Sequence, residues 1–174
     1  MEQGMNGRDE IVSSQHLVSG KASGLSQLEY ALINAGHAFE RWVVHCMTAS
    51  GVPDLSALDV LVLHNTNHRG REKTLAAICL VLNVDDTHLV NYSIRKLRKL
   101  GLLDARRRGK EMVYSVTTHG GDACERYREI REACLIDALA VFGGPEQGDM
   151  SAIATRLRAL SGIYDQAARA ASSL

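Results

Sequence analysis

The sequence predicts a mainly α-helical chain with a small β-hairpin wing: a winged helix-turn-helix flanked by long dimerisation helices. Three observations carry that prediction. Apolar residues recur at alternating steps of three and four through most of the 174 residues, which is the helical period. Between Thr74 and Leu100 two short helical patterns are separated by a tight turn at Asn83-Val84. Two strand-like stretches follow, joined through Arg106-Arg107-Arg108-Gly109-Lys110.

Taken in order, residues 1–24 mix acids, cations, Gly and Ser without an apolar stretch, and read as a flexible N-terminal arm rather than a secretory leader. Leu25, Leu28, Leu32, Ala35, Phe39, Trp42 and Cys46 form a heptad seam, so 25–50 is expected to be one helix, ended by Gly51-Val52-Pro53. Ser56 stands three residues before Asp59, a capping-box spacing that opens a second helix running to about Asn65. A polar loop is expected over 67–73. Thr74 then caps a short helix with Leu75, Ile78 and Leu82 inward. Asp85 or Asp86 caps the next, about 85–100, with Val90, Ile94 and Leu97 inward, and Gly101 closes it.

Strands are expected over 102–106 and 111–116, the second alternating Met112, Tyr114 and Val116 against Val113 and Ser115, with Arg108-Gly109 supplying the turn. Thr117 can cap one long helix whose stripe is Ala123, Tyr127, Ile130, Cys134, Ala138 and Val141, broken at Gly143-Gly144-Pro145. A last helix carries Ile153, Leu157, Leu160, Tyr164, Ala167 and Ala171. The expected division is an arm (1–24), an N-terminal dimerisation helix (25–50), a winged helix-turn-helix (54–118) and C-terminal dimerisation helices (119–174). One small module cannot cover three long apolar stripes, so a second copy of the chain is the expected cover, in a homodimer.

Charge narrows the choice of partner. The chain is formally neutral, with 20 Lys and Arg against 20 Asp and Glu. Yet residues 91–114 gather eight cations (Arg95, Lys96, Arg98, Lys99, Arg106, Arg107, Arg108 and Lys110) against only Asp104 and Glu111. A local cluster of this kind gains affinity for duplex DNA by releasing counterions, whatever the overall charge. No apolar run approaches the length of a membrane span, and the four cysteines are spread through helical patterns rather than set in a disulfide framework. A cytoplasmic chain with reduced thiols is expected, with no membrane partner and no cofactor.

Four short stretches resemble the MarR family of winged-helix transcription regulators. Leu55-Ser56-Ala57-Leu58-Asp59-Val60-Leu61-Val62-Leu63 is similar to that family's Leu-Thr-x-x-Gln-x-x-Val-Leu opening. Thr74-Leu75-Ala76-Ala77-Ile78-Cys79 stands for its Thr-hydrophobic-x-x-Leu-Ala. Ile94-Arg95-Lys96-Leu97-Arg98-Lys99-Leu100-Gly101-Leu102-Leu103 resembles its recognition-helix exit, and Val116-Thr117-Thr118-His119-Gly120 its Leu-Thr-x-x-Gly. The wing departs from the pattern: Lys110 stands where the family's minor-groove arginine would be, and Arg108 where its aspartate would be. The resemblance implies dimerisation through the terminal helices, binding to palindromic operators, and often a small-molecule effector bound between the dimer and DNA-binding parts.

On the expected recognition helix, His88, Asn91, Tyr92, Arg95 and Lys99 share one polar face opposite Val90, Ile94 and Leu97. Such a face is by default only a solvated one. Three adjacent arginines on a short hairpin shift the balance toward an anionic partner. Side chains near the start of a helix seated in the major groove read base edges. Arg95 suits guanine, Asn91 an adenine edge or a phosphate, His88 a purine N7, and Tyr92 a thymine methyl or a phosphate, while Lys99 suits phosphate. In the wing (103–116), Arg106, Arg107, Arg108 and Lys110 are expected collectively on the minor groove and backbone of double-stranded DNA. The alternative is a dimeric winged-helix adaptor whose basic wing meets an acidic protein without sequence-specific DNA binding.

Catalysis is not expected, since no nucleophile elbow, phosphate loop or metal triad occurs. His64 and His68, four apart, lack the companions of a zinc site. Cys124, near Arg126 and His119, is the thiol with the best claim to redox chemistry.

Overall fold

A computed structural model describes residues 23–141 and 147–174, which leaves the expected arm up to residue 22 and the Gly143-Gly144-Pro145 break outside the described residues. The chain forms two compact units, the first ending at Tyr127 and the second beginning at Arg128.

The first unit opens with helix α1 (Ser23–Ala49) and then α2 (Ala57–Asn67). The capping box expected at the start of α2 is present. Ser56 Oγ accepts from Asp59 N at 3.2 Å, and the Ser56 N–H donates to Asp59 Oδ2 at 2.9 Å. Strand β1 (Lys73–Thr74) follows, then α3 (Leu75–Leu82), capped by Thr74, whose hydroxyl accepts from Ala77 N. Asn83 turns the chain in the left-handed region at φ 53°, and α4 (Thr87–Lys99) begins after it. Its cap is Asp86, which accepts from His88 N at 2.9 Å; Asp85 plays no part in that cap. Two longer strands, β2 (Leu103–Arg108) and β3 (Glu111–Val116), form the wing.

The wing departs from expectation in three ways. β1, read in sequence as loop, pairs with β3, so the sheet has three strands in the order β1-β3-β2. Two residues are too few to show an alternation, which is why sequence pattern misses this strand. Arg108 pairs with Glu111, so the hairpin turn is Gly109-Lys110 rather than Arg108-Gly109, and Arg106, Arg107 and Arg108 all lie within β2. Gly109 takes φ +64°, as the first residue of a two-residue hairpin loop often must. Finally, Val113 and Tyr114 are both buried, so the expected alternation along β3 fails. β3 is the central strand and also packs against α2 and α3, while Met112 nearer the tip stays exposed.

The core of this unit lies where α2, α3, α4 and the sheet meet. Val60, Leu63, Ile78, Val90, Ile94, Leu97, Leu102 and Val113 are essentially sealed from water. Full burial of each such side chain stabilises by roughly 2 kcal/mol. The start of α5 (Thr118–Arg131) is locked to the wing base by Thr117, whose hydroxyl donates to Gly101 O at 2.7 Å and accepts from Gly120 N at 3.0 Å. Gly120 is required by proximity: a Cβ there would collide with the Leu102 carbonyl oxygen and the Val116 side chain.

In the second unit the single long helix expected after Thr117 is interrupted. A wide π-helical turn spans Glu132–Ile136 before α6 (Asp137–Val141), and α7 (Gln147–Ala171) is the next described element. Cys134, expected on the apolar stripe, lies within that turn and is exposed in the single chain. Ile153, Leu157 and Tyr164 on α7 remain exposed in the single chain, as do Leu25, Leu28 and Phe39 on α1.

Candidate nucleic-acid interface

Helix α4 is the most strongly amphipathic part of the first unit. Its inner face is Val90, Ser93, Ile94 and Leu97, all buried. Its outer face carries His88, Tyr92, Arg95 and Lys99, all exposed, with Asn91 half-buried at the margin. The sequence-predicted set thus emerges on one side of one helix. That helix is anchored at its start by the Asp86 cap and closed at its end by Gly101, whose N–H donates to Arg98 O at 3.0 Å.

The wing cations divide into two groups. Register puts Arg106 and Arg108 on one side of β2 and Arg107 on the other. Glu72, just before β1, takes both hydrogen-bonding edges it is offered by Arg106: Nε to Oε1, and Nη2 to Oε2 at 2.6 Å. Arg108 Nη1 lies 3.9 Å from the same carboxylate. Hydrogen bonding from Arg106 holds the Glu72 carboxyl below its ordinary value, and the Arg106 guanidinium is raised in turn. Arg107 Nε donates to Gly109 O at 3.1 Å and, with Lys110 at the turn, is in no ion pair among the described residues. The three wing arginines were expected to serve DNA collectively; in the single chain one is held by a carboxylate and a second leans on it. Sequence reasoning missed Glu72 because it lies 34 residues from Arg106 and reaches it only through the register of β1 on β3.

A second internal pair takes Lys96. Its ammonium lies 2.8 Å from Asp59 Oδ2 and donates to the Asp54 carbonyl oxygen at 2.6 Å. Burial pushes the Asp59 carboxyl up, but hydrogen bonds from Lys96, Ser93 and Ser56 outweigh it and hold the group below its ordinary value. Lys96 therefore braces α4 against α2. Of the eight cations in residues 91–114, those left outward and in no ion pair among the described residues are Arg95, Arg98, Lys99, Arg107 and Lys110.

Other candidate groups do not assemble. His64 is half-buried with its ring edge-on to Tyr127 at 4.4 Å, its buried Nε2 has no hydrogen-bond partner among the described residues, and burial lowers its pKa. His68 is exposed, and no cluster of three metal-ligating side chains occurs among the described residues. Cys124 is buried, and burial pushes its thiol up to about 11, the opposite of an activated thiolate. A cleft of about 410 Å³ opens between the α1–α2 loop at Val52-Pro53-Asp54, the end of α4 at Lys96, Lys99 and Leu100, and His119. No helix of the described residues is long and apolar enough to cross a membrane.

A short capped helix with an outward cationic and aromatic face, next to a basic hairpin, is a surface shaped for a grooved polyanion. Residues 55–120 match the family model of a winged helix DNA-binding domain. No curated protein matches the sequence. Among solved structures, the chain is similar to a MarR family regulator from Neisseria meningitidis, with TM-score 0.65 and 17% identity over 82% of this chain and 94% of that one. AbfR of Staphylococcus epidermidis matches with TM-score 0.65 and 17% identity over 83% of this chain and 96% of that one. A structure of reduced AbfR bound to DNA matches with TM-score 0.64 and 16% identity, again over 83% and 96%.

Proposed function

We propose, on the premise of a winged helix DNA-binding domain set in a MarR-type fold, that the protein is a homodimeric transcription regulator, acting as a repressor on a pseudo-palindromic operator. The observation that carries this reading is the outer face of α4: Arg95 and Lys99 stand exposed on it, backed by a sealed core and flanked by the unpaired wing cations Arg107 and Lys110. In this reading α4 enters the major groove, with His88, Asn91, Tyr92 and Arg95 toward base edges and Lys99 toward phosphate. The wing lies on the minor groove and backbone, led by Arg107 and Lys110, with Arg106 and Arg108 contributing through the edges Glu72 leaves free.

The exposed apolar residues of α1 and α7 support dimerisation, because solitary soluble chains rarely leave such stripes in water. Two copies place two recognition helices on half-sites about one helical turn, roughly 10 bp, apart. The cleft beside Lys99 is a candidate seat for a small-molecule effector, since its occupant would touch the end of α4 directly.

Selection of bound fragments from the parent genome tests this. The expected product is an inverted repeat with that half-site spacing. Arg95→Ala relaxes base preference at one position, while Arg107→Ala weakens binding to all sequences and flattens the salt dependence by about one counterion. Weak binding indifferent to competitor DNA would instead favour the adaptor reading, with an acidic protein on the wing.

A further inference from the structure

The outer face of α4 holds more than cations. Leu89 is 53% exposed and Tyr92 is 71% exposed. They are three residues apart, so they are neighbours on the helix surface. At about 100° per residue, Arg95, His88 and Lys99 form the centre of the outward face, Tyr92 lies beside them about 40° from His88, and Leu89 lies about 60° further round on the same flank. Neither residue is needed to seal the interior, which Val90, Ile94 and Leu97 close by themselves. Both lie in the half of α4 that follows the Asp86 cap, the part of a recognition helix that comes nearest the base edges.

An apolar pair directly beside His88, Arg95 and Lys99 is therefore continuous with the cationic surface, and whatever covers that surface extends over the pair. A protein partner that neutralised the cations would present carboxylates to Leu89, which gains nothing from them. The floor of the DNA major groove offers the right complement. Thymine alone among the four bases projects a methyl group there, beside the phosphates that match the cations.

We propose that Leu89 and Tyr92 together read thymine C5-methyl groups, so that each half-site carries thymine opposite the N-terminal half of α4. This rests on the DNA-binding reading above and adds the base class that reading leaves open. Withdrawing one methyl group from water is worth about a fourfold change in affinity per contact.

The test uses the full chain and the operator recovered by selection, with each thymine replaced in turn by deoxyuridine, which lacks only the methyl. At one or more positions in each half-site, the parent protein is expected to lose about fourfold in affinity. Leu89→Ala, a surface change whose folding is checked by circular dichroism, should bind the thymine and deoxyuridine duplexes alike at one of those positions. Tyr92→Ala should do the same at the same or an adjacent one. If the parent binds its selected operator equally well with every thymine demethylated, or if both variants keep the parent's sensitivity, the inference is overturned while the regulator reading stands. If the parent selects no sequence at all, both fall.

Discussion

The segment from α4 to the wing tip loses two cations to internal carboxylates, and the two pairs differ in burial. Asp59, which holds Lys96, has a side chain only 2% exposed and also accepts from the start of its own helix. Glu72, which holds Arg106, keeps a side chain 24% exposed, with a partner 63% exposed. Both carboxyls are held below their ordinary values, and both pairs have close geometry. The lesson lies in the surroundings. A carboxylate shut away from water depends on its partners for solvation, so its pair is part of the architecture. A carboxylate in water has solvent as a ready substitute, so its pair adjusts the charge offered to others and contributes little to stability.

The largest expected effect breaks the buried pair. Asp59→Ala removes the ion pair and the reciprocal cap of α2 together, and should cost about 3 kcal/mol in urea unfolding. Lys96→Met leaves the cap but strands the carboxylate, and should cost roughly 2 kcal/mol. Lys96→Met should also leave the salt dependence of DNA binding as it was, because Lys96 is already committed to Asp59 and the Asp54 carbonyl. A flattened slope for that variant would mean that Lys96 faces DNA, and the contrast drawn between the pairs would collapse.

Acid sharpens the same contrast. The folded Asp59 carboxyl titrates below its unfolded value of about 3.9, so its stabilisation is complete above that pH and is lost as pH falls through the lower, folded value. His64 acts earlier and in the same direction. Burial lowers its pKa, so as pH falls below about 6.5 the unfolded chain takes up a proton that the folded chain refuses. Thermal unfolding between neutral and acid pH should therefore show two losses of stability. His64→Phe, which keeps the ring contact with Tyr127, should remove the first and leave the second; Asp59→Asn should blunt the second. A single step that survives both substitutions would assign the acid limb to other groups.

What was legible in the sequence was local. Ser56 with Asp59, Thr74, Asp86 and Gly101 each act within a few residues of themselves, and the structure has a helix boundary at each. The face of α4 was equally plain, because one helical period separates Val90, Ile94 and Leu97 from Arg95 and Lys99. What escaped depends on contacts between distant residues. The two-residue strand β1 exists only because β3 is there to pair with it, and Glu72 reaches Arg106 only through that pairing. The π turn at Glu132–Ile136 replaces a regular helix with no Pro or Gly within it to announce the change. Even the hairpin turn shifted by one residue, because Arg108 is drawn into the strand, paired with Glu111 and close to the carboxylate that holds Arg106.

The smallest expected effect on the fold is the most useful for function. Glu72→Gln removes the charge that occupies Arg106 and leans on Arg108 while leaving both arginines in β2. Little change in unfolding is expected, because Arg106 is largely exposed and the half-buried Glu72 keeps contact with solvent. Binding should change: one more cation becomes available to phosphate, so the plot of log affinity against log salt should steepen by about one unit, with affinity rising up to about eightfold at about 0.1 M salt. The gain should be the same for the operator and for random duplex, since a phosphate contact positions without specifying. The ratio between specific and random binding would then stay constant while random binding strengthens, leaving more protein held on non-operator DNA in a cell. A Glu72→Gln protein that bound more weakly would show instead that the carboxylate aims Arg106 at the groove, and that rigidity of the wing outweighs its charge.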